Sequence, residues 1–336
     1  LSRAGWGRLL QALASVAVLY ALSRQVDAAQ MALLADRIAP LPLLAALGVK
    51  ILSLGLHELR LWVALPAPRP RLSVVVAIGF ACGLLNLVLP GRAGDLAVVV
   101  ALGRRCGQPA ATATAAVGVV AFLEAAPFGL LLLGLLVFHA PLWQALLGED
   151  AHLRAIEGVS LLTGGGIVAA VVAVALGRRL AAAPAPQGAS RPIGLLRDTL
   201  LRATDSLSGA GDVGRNLGLG VLQVLLMVEA FALGLAGAGL EVERPWLAAA
   251  GVLALSSLAS VALPPTFAAG PAAASVAILG LFGLPPEAAL AYGAAYWLIS
   301  QVPAVLMGVP ASLWLQRSGG GAGAECDSLD NGGPPP

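Results

Sequence analysis

The chain has 336 residues, 58% of them hydrophobic and 11% charged, with a mean hydropathy of +0.88. Soluble domains carry roughly 25% charged residues, so the composition excludes an ordinary globular domain and points to an all-α protein that crosses a membrane several times. The net charge of +2 says little by itself, because in such a protein the placement of charge matters more than its sum; nucleic acid is not expected as a partner.

Trp6 to Leu22 reads as the first span, flanked by Arg3 and Arg8. No convincing small-residue cleavage site follows it, so it reads as a retained helix rather than a signal peptide. Pro40 opens a second span that runs to about Leu65, closed by Pro66, Pro68 and Pro70. Leu72–Val88 and Asp95–Arg105 are two apolar arms on either side of Leu89-Pro90-Gly91-Arg92-Ala93-Gly94. At about 1.5 Å of rise per residue, the second arm is too short for a bilayer core about 30 Å thick. The pair is therefore expected to be a re-entrant hairpin.

Ala110 to Phe138 is a long apolar run with Pro127 as a kink. His139 to Glu157 reads as a polar loop, Gly158 to Leu176 as a span, and 178–215 as a cytoplasmic linker. Within the linker, Ile193, Leu196, Leu200 and Leu207 recur at helical spacing. They suit a helix lying on the membrane surface, or equally one packed against the protein. Leu217–Leu240 and Leu247–Leu263 are further spans, the latter ending in a second break, Leu263-Pro264-Pro265-Thr266-Phe267-Ala268-Ala269-Gly270. A short arm, Pro271–Phe282, and a last long run, Glu287–Trp314, complete an integral-membrane domain over 1–317. Residues 318–336 are rich in Gly and Pro and read as a disordered tail.

The two halves, about 1–138 and 158–317, superimpose as sequences. Pro90 falls on Pro264 at an offset of 174; after a two-residue insertion, Gly94, Gly107, Pro109 and Pro127 fall on Gly270, Gly283, Pro285 and Pro303 at 176. Three crossings and one hairpin per half would make the halves inverted relative to each other, an architecture shared by many secondary transporters. Loop arginines test this. In the hairpin topology thirteen fall on one face and four (Arg24, Arg37, Arg154, Arg244) on the other. By the positive-inside rule both termini are then expected in the cytoplasm.

Several ionisable residues sit within the apolar runs: Lys50, His57, Glu58 and Arg60, then Arg92, Asp95, Glu124 and Glu229. Each costs at least ~2.5–3.5 kcal/mol at mid-membrane, and such groups are usually functional. Lys50 and His57 are seven apart and share a helix face. Glu58 and Arg60, near the expected cytoplasmic end of their span, read as snorkelling side chains.

Arg92, beside the amides that open the second arm, makes a phosphate site; the plain alternative is a structural ion pair with Asp95 or Glu124. Asp95 also suits a helix cap. Glu124 and Glu229 read as counter-charges to Lys50 or Arg92, or as proton carriers. The candidate substrate-binding set is Asn86, Gly91, Arg92, Gly94, Asp95, Lys50, Glu124 and Glu229, with Thr266 and Gly270 at the uncharged second break. Cys82, Cys106 and Cys326, with His57, His139 and His152, show no metal or disulfide spacing, and no cofactor is expected.

Asn86-Leu87-Val88-Leu89-Pro90-Gly91-Arg92-Ala93-Gly94-Asp95 resembles the first motif of the flippase-like transmembrane domain of lysylphosphatidylglycerol synthases, the integral-membrane part of the multiple peptide resistance factor, and its stand-alone relatives. Leu263-Pro264 through Gly270, then Gly283-Leu284-Pro285-Pro286-Glu287-Ala288-Ala289, is similar to the second, and Arg60-Leu61-Trp62 also fits. The chain departs from that family's pattern at Val98, at Ala273 and Ala274, and near Trp297, where the pattern carries arginine, glutamate and arginine.

The resemblance implies translocation, between the leaflets of the cell membrane, of an anionic phospholipid or a polyprenyl- or isoprenoid-linked lipid. The soluble aminoacyl-transfer domain is absent from this sequence, so lysyl transfer is not expected. No Gly-x-x-x-x-Gly-Lys-Ser/Thr motif occurs, so ATP-driven pumping is not expected either. The same residues also allow a small-anion transporter, a membrane transferase with a lipid-linked donor, or an accessory subunit. A homo-oligomer is compatible with all of them.

Overall fold

The computed structural model describes residues 20, 36–88, 93–182, 191–208, 210–262 and 269–318. The first expected span, both breaks (89–92 and 263–268) and the tail beyond Ser318 lie outside the described residues. Among the described residues the regular secondary structure is helical: α1 Pro40–Ala64, α2 Leu72–Val88, α3 Ala93–Cys106, α4 Ala110–Phe138, α5 Ala140–Leu147, α6 Glu149–Ala182, α7 Arg191–Ser208, α8 Ala210–Gly237, α9 Pro245–Ala262, α10 Ala269–Leu281 and α11 Pro286–Ser318. Four of these helices, α1, α4, α8 and α11, are long and apolar enough to cross a membrane. Proline opens α1, α9 and α11, where its missing N–H costs nothing and its fixed φ suits the first turn.

The element ends keep the sequence repeat. Ala93 and Ala269 open α3 and α10, and Ala110 and Pro286 open α4 and α11, both at the offset of 176. Before each long helix stands a glycine in the left-handed region, Gly107 at φ 63° and Gly283 at φ 77°, a conformation that a side chain disfavours. Pro127 and Pro303 occupy the same position inside their helices. α2 packs on α3, and α9 packs on α10. α3 and α10 have 14 and 13 residues, about 20 Å of helix each, short of a bilayer core.

The residues fall into two compact units. The first unit comprises Ser53–Leu131, Gly158–Val224 and Ala304–Pro336; the second comprises Leu1–Leu52, Leu132–Glu157 and Leu225–Pro303. Each unit holds one of the two packed helix pairs, and each draws on both halves of the sequence. The first is built on an aliphatic core that includes Leu61, Val75, Ile78, Leu102, Val120 and Leu123. The second is built on aromatic residues: Phe231 stacks on Tyr296 at 3.9 Å, Tyr292 meets Tyr296 edge-on, and the Tyr292 hydroxyl donates to the Phe231 carbonyl at 3.0 Å.

The expected loop over 139–157 is helical, and the expected span at 158 is the continuation of α6. Acidic residues suggested a loop, but Glu149 and Asp150 sit in the first turn of α6, where carboxylates offset the positive end of the helix. Gly148, at φ 79°, separates α5 from α6. His152 is buried, and its Nε2 lies 2.8 Å from the Leu136 carbonyl near the end of α4, where helix carbonyls lack helical partners.

The linker is also largely helical. Of its two readings, contact with the protein holds for the end of α7: Ala203 and Leu207 pack on the first unit's core, and the Ser206 hydroxyl donates to the Ala64 carbonyl at 3.3 Å. Leu195 and Leu196, one turn into α7, are exposed.

Candidate functional site

The polar centre of the first unit forms where α1, α2, α3, α4 and α8 meet. At the break, the backbone N–H of Gly94 in α3 donates to the Asn86 side-chain oxygen of α2 at 2.7 Å. A helix start leaves its first amides without helical partners. Here a cap comes from the preceding arm, and it ties the two arms together. Gly94 is required by space: a Cβ there would lie 2.5 Å from the Cys82 carbonyl oxygen and 2.7 Å from Asn86 Oδ1. Asp95 stands in the first turn of α3, where its charge complements the helix end.

Arg60 of α1 is fully buried, and each of its three guanidinium nitrogens donates a hydrogen bond. Nε donates to Asn216 Oδ1 at 3.0 Å, Nη1 to Gln223 Oε1 at 2.7 Å, and Nη2 to the Val120 carbonyl at 3.3 Å. Asn216 Nδ2 returns a bond to the Arg60 carbonyl at 3.0 Å. Gln223 Nε2 donates to Glu124 Oε1 at 3.2 Å, and Glu124 Oε2 lies 3.8 Å from His57 Nδ1. The network is what makes a buried guanidinium tolerable, since a buried charge needs its hydrogen bonds satisfied.

Glu58, also on α1, is 7% exposed. Its carboxyl lies against Gly79 of α2, in the space a Cβ would fill. The expectation that Glu58 and Arg60 snorkel to water is therefore overturned: both heads point into the protein, Arg60 among acceptors from α4 and α8 and Glu58 against α2.

Among the sequence-predicted site residues, Asn86, Gly94, Asp95 and Glu124 belong to this first unit. Gly91, Arg92 and Thr266 lie outside the described residues. Lys50, Glu229 and Gly270 belong to the second unit. There the Lys50 ammonium sits 5.8 Å from the centre of the Phe231 ring, within cation–π range. Glu229 lines a recess of about 570 Å³ together with Glu241, Glu243 and Trp246. Gly270 is buried near the start of α10.

Sequence reasoning missed Asn216 and Gln223. They are seven apart on α8 and so share one face of an otherwise apolar helix, a spacing that was available to be read. At the family-pattern positions where this chain has no charge, Val98 and Ala274 are buried in apolar packing.

An all-helical, multi-pass membrane protein with a polar cluster buried beside a packed pair of short helices is the class these features define. The profile of the lysylphosphatidylglycerol synthase TM region matches residues 8–308, and the chain belongs to that family, which ties it to membrane-lipid function. Comparison with curated proteins and with solved structures gave no match.

Proposed function

We propose that the protein is a lipid translocase of the cell membrane, moving an anionic or isoprenoid-linked lipid between leaflets without ATP. One observation carries this reading: four charged residues of the apolar helices gather in the unit that holds the first helix pair. Glu58, Arg60, Asp95 and Glu124 all belong to the unit that holds α2 and α3. Charge in a membrane interior is costly and irregular backbone is tolerated there only under protein or a polar cavity, so their coincidence supports a passage for a polar group.

In this reading the helix pairs are re-entrant hairpins entering from opposite faces, with both termini in the cytoplasm. Arg92, with the opening amides of α3, receives the phosphate of the headgroup while the lipid's chains stay in the bilayer. The repeat of element ends at one offset supports the two-hairpin arrangement.

The test is a leaflet-resolved assay on purified protein in vesicles, run with labelled anionic phospholipid, isoprenoid-linked lipid and a small soluble anion. Protein-dependent movement of a lipid, reduced at least about tenfold by Arg92→Ala, is expected, the loss of one charge-assisted contact in a dry site being worth that much. Movement of the anion alone would replace this reading with that of an anion transporter. No movement of any probe would remove both.

A further inference from the structure

Glu58 is a charged side chain of the first unit's centre with a buried oxygen that its surroundings do not answer. Arg60, Glu124 and His57 are joined through Gln223 and through one another. Glu58 Oε2 is buried and has no hydrogen-bond partner. An ionised carboxylate in that position lacks both water and a compensating donor, which is far costlier than a neutral acid in the same place.

The space around it is equally restrictive. Its carboxyl fits against Gly79 so closely that a single carbon added there would overlap both oxygens. Among the described residues, no three acidic, histidine or cysteine side chains are grouped to hold a metal ion. A proton is the cation that fits.

The charged and titratable groups around Glu58 are Asp95 of α3, Glu124 of α4 and Cys82 of α2, which interact with it electrostatically, and His57 and Arg60 on its own helix. The Arg60 guanidinium is turned to Asn216, Gln223 and the Val120 carbonyl. Two of the neighbours are carboxylates, and one of these, Asp95, stands in the first turn of the arm that Asn86 and Gly94 tie to α2. A change of charge on Glu58 is therefore felt in the first turn of α3.

From this placement we infer that Glu58 binds and releases a proton during each transport cycle, so that lipid movement is coupled to proton movement. The inference rests on the translocase reading and names its coupling ion. The step is a plain protonation: the carboxylate takes a proton from water on one side of the membrane and gives it up to water on the other.

The experiment uses the full chain in vesicles that contain a pH-sensitive dye and labelled anionic phospholipid. One pH unit is a tenfold difference in proton activity, so with one proton per lipid an imposed step of one unit biases the leaflet distribution by up to about tenfold. Proton uptake should accompany the lipid. Glu58→Gln keeps the shape but cannot release a proton, and is expected to abolish both the bias and the proton uptake. Lipid movement in the wild type that ignores the gradient, or a gradient response that survives in Glu58→Gln, overturns the coupling and leaves the translocase reading standing.

Infrared spectroscopy of the same proteins separates the two readings. The wild type is expected to show the carbonyl band of a protonated carboxyl, lost in Glu58→Gln and shifted in Glu58→Asp, whichever lipid moves. A band unchanged in both variants overturns the inference even if no lipid moves at all. Should Glu58→Gln fail to fold, an unshifted band in Glu58→Asp serves the same purpose.

Discussion

The two compact units carry the same helix pair on the same spacing and fill it in opposite ways. At the offset of 174, Arg60 corresponds to Gly234; at 176, Ala116 corresponds to Tyr292. In the first unit the large buried group comes from α1 as a guanidinium. In the second, α8 offers only Gly234, and side chains of α11 fill the space beside it: a Cβ on Gly234 would lie 2.6 Å from Ile299 Cδ1 and 3.6 Å from the Tyr292 ring. Arg60 and Tyr292 are the two largest fully buried side chains among the described residues.

The same exchange recurs at Glu58 with Gly79, which correspond to Ala232 with Leu253: the bulk moves from one helix to its neighbour and the charge disappears. Interiors are packed to a fixed density, so one scaffold accepts either solution. Only one of them builds a polar site. The lesson is that repetition of the scaffold does not repeat its chemistry.

This contrast can be broken most directly at Arg60. Arg60→Met leaves Asn216, Gln223 and the Val120 carbonyl without their donor. Removing one partner from a buried charged network is expected to cost about 3–5 kcal/mol, read by denaturant unfolding in detergent. A cost below that of Tyr292→Phe would contradict the view that the first unit is held by its polar centre.

Next in size is Gly94→Ala, whose added carbon collides with the Cys82 carbonyl and Asn86; overpacking of this kind costs about 1–3 kcal/mol. Gly83→Ala on α2 is its internal control. Nothing lies within 4 Å of a carbon added there, and a glycine-to-alanine change inside a helix is expected to stabilise by roughly 0.5–1 kcal/mol. Equal effects at the two glycines, measured in the same unfolding assay, would mean that the arms do not meet as described.

Asn86→Ala removes the cap on α3, worth about 1 kcal/mol. Hydrogen exchange is expected to speed up at the start of α3 more than in α10, which belongs to the other unit. The smallest change is Tyr292→Phe, which deletes only the bond to the Phe231 carbonyl and is expected to cost about 0.5–1.5 kcal/mol while the ring packing persists. If it instead disturbs the near-ultraviolet signal of the aromatic stack, the hydroxyl rather than the rings organises the second unit.

How much of this was legible in advance depended on the kind of signal. Gly107 and Pro109, with their repeats 176 residues on, marked element ends, because proline and glycine constrain the backbone wherever the chain goes. The acids at 149 and 150 misled, since a carboxylate suits a helix start as well as a loop. Arg60 misled for another reason: its answering groups, Asn216 and Gln223, are more than 150 positions away, and nothing local distinguishes a side chain that reaches water from one that reaches an amide.

The sequence by itself determined that this is a helical membrane protein of the lysylphosphatidylglycerol synthase TM family, with element ends marked by proline and glycine. Apolar length and backbone-restricting residues act locally and survive in a one-dimensional reading. The tertiary structure alone decided which charges are satisfied and which is not, that Asn86 caps the opposite arm, and that Glu58 is left facing a glycine. Those outcomes depend on which helix faces meet, and a buried charge is stabilised or isolated by neighbours that the chain brings together only when it folds.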